Sequence, residues 1–417
     1  MLVHKAYKFR LYPTDQQWVL LAKTVGLCRL VYNLALEQRR TFSRRGRPVG
    51  YHAAAHDLKA LKTEFPFVTE APSQCLQQAL IDLNQAFENF FKGIAKYPKP
   101  RKKFENDSCR FPQGFTVSRH RIKLPKLGNV RMAAHRTVKG TPKSLTVSRE
   151  GDHWYASIAC ELEVAAPVVR PRREGGVDLN VATGAVTSEG LILPMPRLSP
   201  EEMRRRARLH KSLARKQKGS RNRLKARRTL ARFEARLARR RRNAAHQISR
   251  RLANAHTHIA FEKLNVTNMT ASARGTLESP GTNVAQKAGL NRAILDVSPG
   301  MIRRFTKYKA VWLGGECIEV PAGYTSQRCS ECGKHPKDDA STKHLEHGRV
   351  SRDRFACPLC GYTAHADVNA ARNILALGRQ HWAAQDFADG RSVPACGGLR
   401  ARRADQAGAK DRGRRHA

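Results

Sequence analysis

Two pairs of cysteines near the end of the sequence have the spacing of metal ligands. Cys329 and Cys332 form the first pair, Cys357 and Cys360 form the second, and a glycine directly follows each pair. The glycines predict tight turns that let four thiolates close tetrahedrally around one Zn²⁺ ion. Unrelated thiols and a redox C-x-x-C motif are the alternatives. Because four thiolates leave no open coordination position, a zinc ion here would be structural and not catalytic.

Three carboxylates stand at positions that an acid rarely occupies without a partner. Asp178 interrupts the apolar run 177–181, Glu262 ends the apolar segment 259–261, and Asp367 opens a predicted helix. A carboxylate in an apolar strand is costly unless it is paired or bound to a metal. An ordinary helix N-cap is the alternative for Asp367. If the three acids converge, their oxygens would hold two Mg²⁺ ions about 4 Å apart, an arrangement that hydrolyses phosphodiester bonds.

The overall charge points to a polyanionic partner. The 417 residues carry 78 Lys and Arg against 34 Asp and Glu, a formal net charge of +44. Nucleic acid relieves such self-repulsion through phosphate contacts and counterion release. Hydrophobic residues make up 41% of the chain, which excludes a wholly disordered basic protein. No apolar run approaches the roughly 18 residues of a membrane-spanning helix, and the N-terminus lacks an apolar signal core, so we expect no membrane partner.

Two basic segments are candidates for nucleic-acid contact. In residues 92–131, basic and aromatic residues interleave, which suits a phosphate track with base stacking; a solvated loop anchored by its aromatics is the alternative. In residues 201–251, basic residues surround a narrow apolar seam, which predicts two long helices in a hairpin with a nucleic-acid-binding surface. The candidate binding residues are Lys96, Lys99, Arg101, Lys102, Lys103, Arg204, Arg205, Arg221, Arg228, Arg240 and Arg241.

The coarse secondary structure predicts which elements position these groups. An opening strand that ends at Pro13 is followed by helical periodicity and then by a β-rich stretch, which predicts a small barrel with inserted helices. A hairpin signal from Gly175 begins a second unit. Beyond the basic hairpin, the predicted elements are strands at 257–262, 310–313 and 317–320, a helix at 290–309 broken at Pro299, and a helix at 367–377.

Several segments of the chain together resemble one family. The motifs around Asp178, Glu262, both cysteine pairs and Asp367 are similar to the signatures of TnpB proteins. TnpB proteins are transposon-encoded, RNA-guided nucleases related to the compact type V CRISPR effectors. Asn180 stands where that family more commonly has glycine. The segments that carry the resemblance are 7–13, 26–33, 176–179, 260–264, 324–333, 355–361 and 366–374.

The resemblance implies a multidomain α/β fold. A β-barrel wedge domain at 1–171 would carry an inserted helical recognition domain at about 14–100. A RuvC-like domain of ribonuclease H topology would follow at 172–328, with an inserted basic helical hairpin at 201–256. The remaining implied parts are a four-cysteine zinc module at 329–360, the end of the RuvC-like domain at 361–378 and a basic, disordered tail at 379–417.

The function that the resemblance implies is RNA-guided cleavage of DNA. Asp178, Glu262 and Asp367 would form the catalytic triad and hold two Mg²⁺ ions, with Zn²⁺ in the cysteine module. The partners would be a guide RNA and a complementary double-stranded target DNA beside a short flanking motif. We expect a monomer on the RNA, with an oligomer left open, in the cytoplasm of a prokaryotic cell and at its nucleoid during targeting. The alternatives are RNA-guided binding without cleavage, as in a repressor, a transposition accessory or DNA-joining protein, and an RNA-packaging protein.

Overall fold

The computed structural model describes residues 2–44, 49–168, 170–276 and 278–388, and contacts divide these residues into two units. The first unit comprises the residues up to 168 together with 196–243. The second unit comprises the described residues from 170 to 195 and from 244 to 388.

Alternation of apolar and polar residues builds the sheet of the first unit. In β1 (Leu2–Tyr12) the side chains of Tyr7, Phe9 and Leu11 are buried, and β1 pairs antiparallel with β7 (His153–Glu163) from Leu2 to Leu11. The seven strands follow the order β2-β6-β7-β1-β5-β4-β3, so the predicted barrel corresponds to a sheet with β2 and β3 at its edges. The other strands are β2 (Ser108–Phe111), β3 (Thr116–Val117), β4 (Arg121–Leu124), β5 (Gly128–Met132) and β6 (Thr141–Glu150).

Three helices are inserted between β1 and β2, which confirms the predicted helical insertion. They are α1 (Asp15–Arg44), α2 (Tyr51–Glu64) and α3 (Ser73–Phe91). Leu76, Leu80 and Leu83 of α3 recur at helical spacing and are buried in a core shared with the sheet.

Helix α1 corrects the expectation that no segment is apolar enough to span a membrane. Its stretch Asp15–Phe42 meets the length and hydropathy of such a span. Half of the most apolar window is buried inside the protein, as in the core helix of any folded unit. Length and composition alone are therefore weak evidence for a membrane.

The predicted basic hairpin is confirmed as α4 (Pro200–Ala214) and α5 (Arg221–Ala255). Ser199 begins α4 with a capping box, in which its hydroxyl accepts a hydrogen bond from the backbone N–H of Glu202 at 3.1 Å. In the sequence this hairpin interrupts the second unit, but residues 196–243 make their contacts within the first unit.

The sheet of the second unit has the ribonuclease H topology. Three antiparallel strands, β8 (Glu174–Asn180), β9 (Gly184–Thr187) and β10 (Ile192–Leu193), are extended by β11 (His258–Glu262) and β12 (Glu316–Val320). The last two strands run parallel to β8, which gives the order β10-β9-β8-β11-β12. The second unit is therefore a RuvC-like fold, in agreement with the expected fold class.

Helix α9 (Ala366–Ala388) packs directly on β8. A Cβ atom on Gly176 would overlap the carbonyl oxygen of Ala371, so only glycine permits this approach. The other described elements of the unit are α6 (Val266–Met269), α7 (Val284–Val297), α8 (Pro299–Trp312), β13 (Arg354–Ala356) and β14 (Thr363–His365).

Two of the predicted boundaries are wrong. Residues 310–312 end α8 and do not form a strand. The last helix continues to Ala388, so residues 379–388 are not a disordered tail, and 389–417 lie outside the described residues. The helix continues because Gly378 lies against Ala260 and because Trp382, only 2% exposed, extends the buried face beyond Leu377.

Candidate active site and zinc module

The three acids singled out in the sequence lie on three contacting elements of the second unit. Asp178 is near the end of β8 and Glu262 ends β11, and the parallel register pairs Val177 with Phe261, the residues just before them. Asp367 is in the first turn of α9, which contacts both strands. The fold therefore brings the three acids to one end of the sheet.

Two carboxylates of this cluster are buried, Glu262 is partly buried, and the charges of Glu262 and Asp367 act on Asp178. Asp178 is 8% exposed and Asp367 is 2% exposed. Burial, together with the charges of Glu262 and Asp367, raises the pKa of Asp178 to about 7, against the hydrogen bond from Asn180 and the charge of Arg349. Burial also raises the pKa of Glu262. Acids held in this way gain from a bound cation, because the cation offsets both the burial and the mutual repulsion.

A chain of hydrogen bonds connects Asp178 with Asp367. The side-chain amide of Asn180 donates to Asp178 Oδ2 at 3.0 Å. Asn180 Oδ1 accepts from the backbone N–H groups of Ala182 and Thr183 and from the Thr183 hydroxyl, at 2.8–2.9 Å. The Thr183 hydroxyl also lies 3.4 Å from Asp367 Oδ2. Asn180, which departs from the commoner glycine of the resembling family, thus fixes the turn that orients two of the acids.

Two further side chains contact the acids, and neither was predicted from the sequence. The Thr325 hydroxyl donates a hydrogen bond to Glu262 Oε1. Arg349 Nη2 lies 3.4 Å from Asp367 Oδ1 and 3.1 Å from the carbonyl oxygen of Arg352. The Asp367 carboxylate therefore contacts Thr183 and Arg349 and not a backbone amide of its own helix, which argues against the N-cap alternative.

Hard cations fit the chemistry of this cluster. Carboxylate oxygens are among the ligands that Mg²⁺ prefers. Within the described ranges, however, the oxygens of the three acids do not all lie within 4.8 Å of one another, since only the four cysteines form such a group. The donor set therefore fits a divalent cation, while its spacing is wider than that of the cysteine cluster.

The four cysteines form the predicted zinc module. Their sulfur atoms all lie within 4.8 Å of one another, with Cys329 and Cys360 at 3.7 Å and Cys332 and Cys357 at 3.9 Å. Tetrahedral Zn–S bonds of about 2.3 Å require sulfur separations of about 3.8 Å. The geometry therefore fits a four-cysteine zinc site.

The two cysteine turns repeat one hydrogen-bond pattern. The N–H of Gly333 donates to the carbonyl oxygen of Cys329 at 3.1 Å, and Gly361 donates to Cys357 at the same distance. Both glycines have φ near +70°, in the left-handed region that glycine alone enters at no steric cost. The predicted role of glycine after each pair is thus confirmed.

Buried asparagines connect the zinc module to the helix of Asp367. Asn369 accepts a hydrogen bond from the backbone N–H of Ser330 at 2.9 Å and donates to the carbonyl oxygen of Arg328 at 2.8 Å. Asn373 donates to the carbonyl oxygens of Arg328 at 2.7 Å and of Thr325 at 2.8 Å. One hydrogen-bonded structure thus spans the first cysteine turn, the segment that contacts Glu262, and α9.

The predicted nucleic-acid-binding residues fall into three groups, which are paired, partly buried and exposed. Arg101 pairs with Asp82 at 2.9 Å and Arg240 pairs with Glu202 at 2.9 Å, so both are engaged within the protein. Arg241 is partly buried. The exposed members are Lys96, Lys99, Lys102, Lys103, Arg204, Arg205, Arg221 and Arg228. Their role in binding stays a prediction.

Three family models match this chain. Residues 157–273 match OrfB_IS605, described as a probable transposase, and residues 1–47 match the helix-turn-helix domain HTH_OrfB_IS605. Residues 300–374 match the Cas12f1-like TNB domain, which covers the zinc module and Asp367.

Two named relatives align with nearly the whole chain. The chain is 40% identical over 379 residues to InsQ of Escherichia coli strain K12, a candidate RNA-guided DNA endonuclease by its name, covering 90% of this chain and 92% of InsQ. A candidate RNA-guided DNA endonuclease of Streptomyces pristinaespiralis is 32% identical, with 90% of both chains covered. Among solved structures, a Cas12f1–sgRNA–target DNA complex aligns at 13% identity and a TM-score of 0.42, covering 89% of this chain and 98% of that chain.

Proposed function

The chain belongs to the TnpB family of transposon-encoded, RNA-guided DNA endonucleases, and on that premise we propose that it cuts double-stranded DNA complementary to a bound guide RNA, beside a short flanking motif. The observation that carries the proposal is the meeting of Asp178, Glu262 and Asp367 at one end of a ribonuclease H sheet. Partners, cofactors and catalytic residues follow from the same proposal.

The three acids would supply oxygen ligands to two Mg²⁺ ions. When bound, these ions supply an activated water molecule and stabilise the leaving oxygen of the phosphodiester. The chain's own residues hold the ligands in place: Asn180 and Thr183 orient Asp178 and Asp367, and Thr325 orients Glu262. Burial of the acids limits their contact with bulk water, which strengthens every electrostatic interaction at the site.

Arg349 adds a positive charge beside the acids. In the described structure it pairs with Asp367, so it offsets part of the negative charge of the cluster. A guanidinium group at this place could also contact a phosphate oxygen of the DNA strand, because its planar fork matches phosphate geometry. The zinc module has a structural role in this proposal, holding Arg349 and α9 in register through the cysteine turns and Asn369.

Base pairing would provide the sequence specificity. In RNA-guided recognition the guide reads the target, while the protein contacts the duplex through its shape and backbone. The net charge of +44 and the exposed basic residues of α4 and α5 support such backbone contacts.

The proposal is tested with protein purified from its native host together with its RNA. Sequencing should find one RNA species with a constant scaffold and a variable end, and the complex should cut a duplex that matches the variable end when Mg²⁺ is present. Asp178→Ala should lose cleavage and keep RNA binding, whereas Glu64→Ala, which removes an exposed acid of α2, should keep both. Undiminished cutting by Asp178→Ala would remove that residue from the site, and RNA without a variable end would refute guided cleavage.

A further inference from the structure

A loop residue of the first unit is held in an unfavourable backbone conformation. Phe104 has a φ of +68° and Asn106 a φ of +52°, both in the left-handed region that bulky side chains avoid. Asp107 Oδ1 fixes the loop by accepting a hydrogen bond from the backbone N–H of Phe104 at 3.2 Å. The Phe104 ring remains 36% exposed. Strain of this kind at an exposed aromatic residue indicates a functional constraint.

Three cations surround the Phe104 ring. Lys103 Nζ and Arg227 Cζ each lie 5.3 Å from the ring centroid, and Arg149 Cζ lies 5.5 Å from it. The guanidinium of Arg149 also lies 4.8 Å from the Trp18 ring. Cation–π attraction to these rings holds together positive groups that otherwise repel one another.

Phe104, Arg149 and Arg227 line a cavity of about 80 Å³, the Phe104 cavity, which also includes Arg228. The acids of the cavity are Asp107 and Asp152, and they already pair with Arg29 and Arg232. Its three arginines form no ion pair with a carboxylate in the part of the chain that the structure describes. Burial and the charge of Arg228 lower the pKa of Arg149, against the raising effect of both acids. The cavity therefore carries net positive charge, with three arginines against two acids that also pair with arginines outside it.

We propose that the Phe104 cavity binds a phosphodiester group of a nucleic-acid backbone, with Arg227 and Arg228 as direct contacts and Phe104 as a positioning residue. The inference rests on the proposed function for the identity of the polyanion. Guanidinium forks match phosphate oxygens, and the cavity is far smaller than the roughly 300–1,000 Å³ of small-molecule pockets. The site joins the turn between β6 and β7 to the basic helix α5, and it would read no sequence.

The experiment measures binding of two probes, a mixed-sequence single-stranded RNA and a mixed-sequence duplex DNA, by fluorescence anisotropy over a range of salt concentrations. The double variant Arg227→Ala/Arg228→Ala should bind about 10-fold more weakly, and its slope of log affinity against log salt should fall by about 0.7 to 0.9 per lost contact. Phe104→Ala should weaken binding several-fold, and Phe104→Tyr, which keeps the ring, should bind like the wild type. Lys59→Ala, which removes an exposed cation of α2, controls for the loss of one charge.

The two probes identify the source of the phosphate. A loss confined to the RNA assigns the cavity to guide RNA, a loss confined to the duplex assigns it to target DNA, and a loss in both assigns it to both backbones. Unchanged affinity and slope in both arms, or a wild type that binds neither probe, would overturn the proposal. If the variants lose binding as expected but the wild type cuts no guide-matched DNA, the endonuclease function is contradicted and the phosphate site is retained.

Discussion

At the scale of single residues, the buried acids dominate the properties of the site. Asp178 sits among apolar neighbours with two other carboxylates acting on it, so its ionised form is unfavourable until a cation arrives. The hydrogen bonds from Asn180, Thr183 and Thr325 offset part of this cost by stabilising the charged carboxylates. A site of this kind is held ready for a metal at the expense of stability in its absence.

The raised pKa of Asp178 predicts a pH-dependent cost to the metal-free protein. The pKa of Asp178 in the folded protein, about 7, lies above its pKa in the unfolded chain. The contribution of the protonated acid to folding stability is therefore complete below about pH 4 and is lost as pH rises through 7. Asp178→Asn should therefore stabilise the chelator-treated protein at pH 8, where the unfolding free energy should rise by at most about 4 kcal/mol and the melting temperature with it. Near pH 4 the substitution should change both quantities little. Thermal unfolding at both pH values measures this, and equal effects at pH 4 and pH 8 would contradict the assignment.

Thr183 should act by positioning the acids. Thr183→Val keeps the shape and removes the hydroxyl that links Asn180 to Asp367, so we expect about 10-fold weaker Mn²⁺ binding and a similar fall in kcat, with KM for the target unchanged. Mn²⁺ binding is followed by electron paramagnetic resonance in the absence of DNA. Thr183→Ser keeps the hydroxyl and should restore both values. Equal metal binding by the valine and serine variants would show that the hydroxyl has no such role.

The site residues that could be predicted from the sequence are those whose residue type is energetically unfavourable, or unusual, among its sequence neighbours. Asp178 and the cysteine pairs stand out because an acid in an apolar strand, or four glycine-marked thiols, requires an explanation. Arg349 and Thr325 carry no such mark, since an arginine or a threonine in a loop is ordinary. Their contacts depend on the path of the chain across the sheet, which no local pattern encodes.

At the scale of elements, the zinc module and α9 behave as one structure. Asn369 and Asn373 are buried, and their side chains bond to backbone groups of residues 325–330 on the way into the first cysteine turn. Buried amides satisfied in this way fix one arrangement, because any other would leave polar groups without partners. The position of Asp367 is thus set by the module as well as by the sheet.

Loss of zinc should therefore reach the active site. Cys329→Ser should lower the zinc content from one equivalent towards zero and lower the melting temperature, because metal-binding free energy contributes to folding. Cleavage should fall with it, while RNA binding remains. Zinc content is measured by elemental analysis. Cys317→Ser, which replaces a buried cysteine outside the module, should keep its zinc, and full zinc retention by Cys329→Ser would refute the four-cysteine site.

Element types could be predicted better than element ends. The strand alternation of β1 and the basic hairpin are strong periodic signals, and both are confirmed. Residues 310–312 have a strand-like composition but continue α8, because helical contacts with the sheet outweigh local preference. The extension of α9 to Ala388 depends on Trp382, whose burial against the sheet is a tertiary effect.

At the scale of the whole molecule, the net charge of +44 is the largest single constraint. Only 34 acids oppose 78 basic residues. Several of those acids lie in the candidate active site or in ion pairs such as Glu234 with Arg206. The remaining positive charge repels itself in the free protein. It becomes favourable only beside a polyanion.

The free protein should consequently gain stability from salt. Without RNA, the melting temperature should rise as sodium chloride increases from low to moderate concentration, because the screening length shortens to about 10 Å at 0.1 M. Adding single-stranded RNA at low salt should raise it further, by mass action on the folded state. Differential scanning fluorimetry measures both, with an uncharged polymer in place of RNA as the control. A melting temperature that changes with neither salt nor RNA would contradict the predicted electrostatic self-repulsion.

The contact between Arg349 and Asp367 has a physiological consequence. The arginine comes from the loop between the cysteine pairs, so loss of zinc from the module would disturb a group that lies beside Asp367. If the proposed function holds, a protein made without zinc would still bind RNA but would fail to cut DNA.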